Sequence, residues 1–137
     1  MCFTVAASRQ PPVYCCHCRD CQRSTGSAFA VQMVVLAAMI AVEGAVTGFD
    51  LPRPAVGVST HHMCAVCHTR LWTTNSARPT IVIIRGGTLD DTSTLAPRAH
   101  LWVSRKQPWV VLADDVPMYP ANAPEAEFAA LLMRNAS

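Results

Sequence analysis

The chain has 137 residues, enough for one domain with a modest core. Apolar residues make up 51% and charged residues 15%, a balance that excludes a disordered chain. The net charge is only +2, with Arg and Lys scattered, so there is neither a basic footprint for nucleic acid nor a basic amphipathic helix for a membrane surface. The start, MCFTVAASRQPP, lacks the basic region and long apolar run of an export signal. The most apolar stretch, Ala28 to Val42, is interrupted by Gln32 and is too short to span a bilayer. These features predict a soluble, cytoplasmic protein.

Ten prolines and frequent Gly, Asn, Asp and Ser cut the chain into short segments, as in a mainly β protein. Phe3 to Ala6 reads as the remnant of a first strand, ended by Pro11-Pro12. Val13 to Cys16 is extended and leads into CHCRDC. Gly26-Ser27 then turns the chain into AFAVQMVVL, Ala28 to Leu36, a Val-rich run that predicts a buried strand. Leu36 to Ile40 suits a helical turn, and Ala41 to Phe49 a strand with glycine breaks. Asp50 to Gly57 reads as a proline-bearing loop. Strands follow at Val58 to Met63, Leu71 to Thr74, Thr80 to Ile84 and His100 to Val103. Residues 124–135 form the one helix the pattern predicts. Pro124 suits its first turn, Glu125 and Glu127 suit its N-terminal dipole, and Phe128, Leu131 and Leu132 share a face. No internal repeat or domain boundary is visible, so residues 1–137 read as a single domain.

The cysteines are the informative residues. In a reducing compartment, clustered cysteines point to metal or redox chemistry rather than structural disulfides, and seven cysteines cannot all pair. Cys16 and Cys18 fall on one side of an extended chain, and the two-residue gap to Cys21 lets a turn bring round a third sulfur. Three thiolates at this spacing fit a tetrahedral zinc with zinc–sulfur distances of about 2.3 Å. Cys15 points the opposite way from Cys16 and is excluded. His17, between two of these cysteines, faces away from the metal. Cys64-Ala65-Val66-Cys67 is a second knuckle with two ligands. Either these five cysteines share one or two sites, or Cys16, Cys18 and Cys21 form a three-ligand site beside a separate structural site at Cys64 and Cys67. A purely structural role for the zinc is as compatible with the spacing as a chemical one. A thioredoxin-like redox pair at Cys18 and Cys21 wants a βαβ context that is absent.

The segments CHCRDCQRSTGSAF (Cys16 to Phe29), HHMCAVCHTRLW (His61 to Trp72), GTLDD (Gly87 to Asp91) and HLWVSRKQPWVVLADDVPMYP (His100 to Pro120) together resemble the glutathione-dependent formaldehyde-activating enzyme family, which is grouped with the centromere protein V domain. The resemblance implies a β-tent fold of twisted antiparallel sheets with zinc sites and, here, a short C-terminal helix. It implies a three-thiolate zinc of catalytic type at Cys16, Cys18 and Cys21. It also implies half of a structural zinc site at Cys64 and Cys67. The other half comes, in the family, from an N-terminal C-x-C-G motif that is missing here. The family pattern C-x-C-G-x-V-x-F aligns its last aromatic with Phe3, which leaves Met1 on the Val position and both cysteines upstream. This reads as an N-terminally truncated chain whose gene start is placed too late. With that start, Cys2, His61, His62 or His68 are the substitutes available to complete the structural site. His68 stands where the family has glycine, which suggests a position with positive φ.

The activity so implied is that of a zinc-dependent carbon–sulfur lyase acting on glutathione–aldehyde adducts, forming or cleaving S-hydroxymethylglutathione. Three thiolates weaken zinc as a Lewis acid, which favours binding of the substrate thiol over activation of the carbonyl. Glutathione carries two carboxylates, for which Arg105, Lys106 and Arg85 are the candidate partners, and Trp102 and Trp109 are candidates to line a pocket. His100 reads either as a proton carrier or as a hydrogen-bonded structural histidine. The competing readings are a zinc-stabilised binding module without catalysis and an inactive, truncated relative. A nucleic-acid-binding module should carry a basic extension, which this sequence lacks.

Overall fold

A computed structural model describes residues 2–134 of the chain. It contains nine strands and two helices among these residues: β1 (Cys2–Val5), β2 (Val13–Cys16), α1 (Arg19–Thr25), β3 (Ala30–Leu36), β4 (Ile40–Glu43), β5 (Val46–Arg53), β6 (Gly57–Cys64), β7 (Arg70–Asn75), β8 (Ile81–Arg85), β9 (Pro97–Leu101) and α2 (Glu125–Met133). Short 3-10 turns occupy Ala37–Met39, Gly86–Thr88 and Val103–Arg105. The protein is therefore mainly β, as its segmentation predicts, and a helical turn follows β3 where one was expected.

The last strand is displaced, spanning Pro97–Leu101 where His100 to Val103 was expected, with Val103 in a 3-10 turn. Three further elements differ from the sequence reading. Residues 41–49 are two strands, broken at Gly44 (φ 98°), not one. The expected loop 50–57 is mostly strand, because β5 runs on through Pro52 to Arg53 and pairs with β6 over its whole length. Pro52 is tolerated because β5 is an edge strand, so the missing N–H removes no ladder bond. Third, α1 was not foreseen at all. It has only seven residues and no apolar stripe, and its stability comes from its ends. At the C terminus, α2 begins after Pro124, which is its cap rather than a first-turn residue. The expected end of this helix at residue 135 lies outside the described residues.

The chain forms two compact units, Met1–Pro11 with Met33–Asp90, and Pro12–Gln32 with Asp91–Ser137. The boundary falls within β3, after Gln32. In the first unit, antiparallel pairing runs β5-β6-β7-β8, with β3 next in order, and β1 and β4 make a separate two-stranded ribbon. Period two sets the faces. Trp72 lies opposite both His62 and Ile84, and the Trp72 and His62 rings stack at 5.2 Å and 17°. Phe3 meets Trp72 edge-on at 5.9 Å. Ile84, fully buried, joins Met33, Val35, Leu71 and Val82 in the core of this unit.

In the second unit, β3, β2 and β9 are consecutive, and β2 and β9 are parallel, with Cys15 opposite His100 and Cys16 opposite Leu101. All four residues of β2 are buried, which fits a strand with neighbours on both edges. Leu131 of α2 is buried, Phe128 and Leu132 are half-buried, and Arg98 of β9 donates to the carbonyl of Leu132 at 2.8 Å. The apolar face read from the sequence is thus the face that packs.

Truncating Ile84 to alanine removes buried methyl groups and leaves a cavity. We expect a loss of about 2–5 kcal/mol in urea unfolding, with an unchanged denaturant slope.

Candidate metal centre

The site grows out of the end of β2. The His17 N–H donates to the Leu101 carbonyl at 2.9 Å and holds the chain to the end of β9 as it leaves the sheet. Cys18 is the N-cap of α1: its backbone is extended (φ −63°, ψ 157°), and its Sγ accepts the Cys21 N–H at 3.3 Å. A side-chain acceptor serving the N–H three residues on is the usual capping arrangement, with sulfur here in place of oxygen. At the other end, Gly26 takes the left-handed conformation (φ 63°) and its N–H returns to the Gln22 carbonyl at 2.9 Å. Capping therefore does two things at once. It starts the helix, and it turns Cys18 and Cys21 toward each other.

As a result, the sulfur atoms of Cys16, Cys18 and Cys21 all lie within 4.8 Å of one another. Among the described residues this is the one group of three or more such side chains that can hold a metal ion. Sulfurs about 2.3 Å from a tetrahedral zinc are roughly 3.8 Å apart, so the donor set is of the right size and softness. Cys16 is buried, and Cys18 and Cys21 are half-buried. The Cys16 thiol is pushed up, first by its hydrogen bond to Cys21, then by burial and the Cys21 charge. Cys18 is also raised, mainly by burial. Three adjacent thiols cannot all ionise without a compensating cation, and a divalent ion supplies that compensation. Cys15 is buried outside the group, as the alternation of β2 requires, and burial lifts its pKa to about 11.

The surroundings of the cluster carry polar groups that sequence reasoning missed. Gln32 Nε2 donates to Cys21 Sγ at 3.3 Å, and Gln32 Oε1 accepts from the Tyr14 hydroxyl at 2.7 Å. Gln22, buried on α1, donates to the carbonyls of His17 at 2.8 Å and Arg105 at 2.9 Å. Gln107 Nε2 in turn donates to Gln22 Oε1 at 3.2 Å. The loop 105–107 is thereby tied to the cysteine loop. The available signal was weak: a glutamine in a buried Val-rich strand, and one in the middle of a cysteine motif.

His17 is wholly buried, and its Nε2 shares a hydrogen bond of 3.1 Å with His100 Nδ1. Burial and the nearby His100 and Lys106 lower the pKa of His17 to about 4, and burial lowers that of His100. His100 is thus hydrogen-bonded within the fold.

Comparison with known proteins follows the same residues. The family profile described as "Glutathione-dependent formaldehyde-activating enzyme" matches residues 1–105. The chain belongs to this family. No curated protein is significantly similar to the chain. A crystal structure of a Rhodobacter sphaeroides protein is similar in fold, with TM-score 0.50, 17% identity, and coverage of 70% of this chain and 83% of that one.

The second knuckle of this family member lies in the first unit. Cys64 ends β6 and Cys67 is exposed in the turn before β7. Hydrogen bonds from Thr69 lower the Cys67 pKa to about 7. Among the described residues, no third ligand gathers with this pair; the Cys2 side chain lies outside what is described. His68 has φ 58°, so the position where the family has glycine does require the left-handed region. His62 is engaged by Trp72 and by Thr74 Oγ1 at 2.9 Å. His61 sits on the opposite face of β6, close enough to Arg70, Arg85 and Arg53 to feel their charge.

The candidate glutathione residues are Trp102, Arg105 and Lys106, which follow β9. Trp102 is also left-handed (φ 58°), a strained conformation for a bulky residue, and its indole N–H donates to Asn122 Oδ1 at 2.9 Å. The Lys106 ammonium donates to the Val110 carbonyl at 2.7 Å and the Gln107 carbonyl at 3.2 Å, so it closes its own loop. Arg105 is exposed. Trp109 is 72% exposed, and its indole donates to Gln107 Oε1. Arg85 is buried on β8, in the first unit. No helix among the described residues is long and apolar enough to cross a membrane.

Burial and then the neighbouring guanidinium groups hold the His61 pKa down at about 4. Unfolded, it titrates near ~6.5. The neutral imidazole thus contributes stability that is complete above about pH 6.5 and is lost as pH falls toward 4. We expect urea midpoints to drop between pH 7 and pH 5, and to drop less in His61→Asn.

Proposed function

We propose that the protein is a zinc-dependent carbon–sulfur lyase-type enzyme that forms or cleaves glutathione–aldehyde adducts such as S-hydroxymethylglutathione. The observation that carries this reading is the compact three-thiol group of Cys16, Cys18 and Cys21, since three protein ligands leave a metal one position for a reactant, whereas four close it. A bound zinc would supply a site that favours the thiolate form of an incoming thiol.

The chain's own residues have simpler tasks. Cys16, Cys18 and Cys21 hold the ion. Gln22 keeps the cysteine loop and residues 105–107 in fixed relation. Arg105, on this loop and exposed, pairs with a glutathione carboxylate. Trp102 flanks the same substrate. Lys106 acts through loop closure more than through its charge, because its ammonium already serves two carbonyls. The reaction itself is an addition: the S–H bond breaks, a carbon–sulfur bond forms, and the carbonyl oxygen gains a proton, with no change of oxidation state. A reducing cytoplasm would keep the three thiols available. Cys64 and Cys67 are proposed ligands of a second, structural zinc.

Metal analysis of the purified chain alongside calorimetric titration with glutathione tests this. The wild type should carry zinc and bind glutathione. Cys18→Ala should lose zinc from this site, with affinity for glutathione falling by at least about tenfold, equivalent to roughly 1.4 kcal/mol. Unchanged glutathione binding in Cys18→Ala would remove the thiol–metal mechanism. A wild type that carries zinc but ignores glutathione would favour the non-catalytic module.

A further inference from the structure

We propose that the C-terminal helix is part of the metal centre: Phe128 of α2 seats Tyr14, Tyr14 orients Gln32, and Gln32 donates an N–H hydrogen bond that tempers Cys21 as a metal ligand. The inference rests on the reading that Cys16, Cys18 and Cys21 hold a metal ion.

Each link is short and directional. The Phe128 and Tyr14 rings meet edge-to-face, 5.1 Å apart and at 89°, a favoured aromatic geometry. Tyr14 is buried in β2, so its ring cannot swing away, and its hydroxyl donates to Gln32 Oε1 at 2.7 Å. With the amide oxygen engaged, the amide nitrogen is the end presented to Cys21 Sγ, 3.3 Å away. A metal-binding thiolate accepts hydrogen bonds and donates none, so this orientation is also the only productive one. The helix itself is fastened by Arg98 of β9, whose guanidinium donates to the carbonyls of Leu132 and Arg134.

An N–H directed at a thiolate draws charge from sulfur. It weakens the sulfur as a donor and as a nucleophile, and outer partners of this kind set the properties of a metal site. The other two sulfurs are served by backbone N–H groups, Cys18 Sγ by that of Cys21 and Cys16 by that of Cys18. The bond to Cys21 Sγ comes from a side chain, and can therefore be changed by substitution. The family profile ends at residue 105, and α2 starts at Glu125. The helix therefore lies beyond the residues that the family match accounts for, yet only three contacts separate it from the ligand set. Gln32 is a tuning residue in contact with a ligand. Tyr14 and Phe128 are positioning residues that act through it.

The test is Co(II) loading of the full chain, reading the sulfur-to-cobalt charge-transfer absorption. Wild type, Gln32→Leu, Tyr14→Phe, Phe128→Leu and the Gln32→Leu/Tyr14→Phe double variant are compared, with circular dichroism as a check of folding. Without the N–H, the sulfur is more electron-rich and the band moves to longer wavelength in Gln32→Leu. Smaller shifts in the same direction are expected for Tyr14→Phe and Phe128→Leu, and none beyond Gln32→Leu in the double variant. Tyr14→Phe keeps the ring and its packing, so it remains informative if Gln32→Leu does not fold. Wild-type bands in both Gln32→Leu and Tyr14→Phe, with Co(II) bound, would overturn the tuning. A shifted band in Gln32→Leu beside a wild-type band in Phe128→Leu would overturn the part given to the helix. A wild type that binds no Co(II) would overturn the metal reading itself, and this inference with it.

Discussion

The arrangement on which the site depends is the cap of a seven-residue helix. Cys18 accepts the Cys21 N–H, and that single bond sets where α1 begins and which way two thiols face. A helix this short has little stability of its own, because nucleation costs more than one turn returns. It persists because its other end closes on Gly26 and because Gln22, buried at its middle, bonds to the carbonyls of His17 and Arg105. A change at the cap would therefore disturb helix and donor set together. The same residues serve local structure and chemistry, which gives the motif little tolerance for substitution.

Around this cap the second unit is organised from the strands outward. β2 delivers Cys16 by simple alternation, and its parallel pairing with β9 puts Cys15 and Cys16 opposite His100 and Leu101. The loop after β9 then folds back through Gln107 and Gln22. Crowding has a cost here: a hydrogen bond to Cys21 and then burial hold the Cys16 thiol above its ordinary range, and burial holds up that of Cys18. Such a cluster is held in place by the fold, and a cation relieves its electrostatic conflict. Metal affinity and folding are coupled in a site of this kind.

The first unit is governed by a different constraint, the period of its strands. Trp72 and Ile84 face one side, with Phe3 and His62 packed on Trp72. The other side carries His61 within reach of three guanidinium groups. Membership of the glutathione-dependent formaldehyde-activating enzyme family covers residues from both units. The two cysteine knuckles, Cys16 to Cys21 and Cys64 to Cys67, fall in different units. They differ physically as well, the first sheltered and three-membered, the second partly exposed and two-membered among the described residues.

The sequence by itself determined the β character, most strand positions, the C-terminal helix and the three thiols that converge, because alternation and cysteine spacing are local properties. It also placed Cys15 outside the cluster, which follows from strand alternation, whereas the left-handed backbone at His68 was raised only by the family's glycine at that position and is seen in the structure. It did not reveal α1, whose stability lies in its caps, nor the extension of β5 through Pro52, which depends on that strand lying at a sheet edge. Only the tertiary structure decided the partners: His100 for His17, Gln22 for the 105–107 loop, and the path from Phe128 through Tyr14 and Gln32 to Cys21. Those pairs are 11 to 114 positions apart in the chain. Hydrogen bonds and ring contacts between residues so distant depend on packing, and a single sequence carries no periodicity that records them.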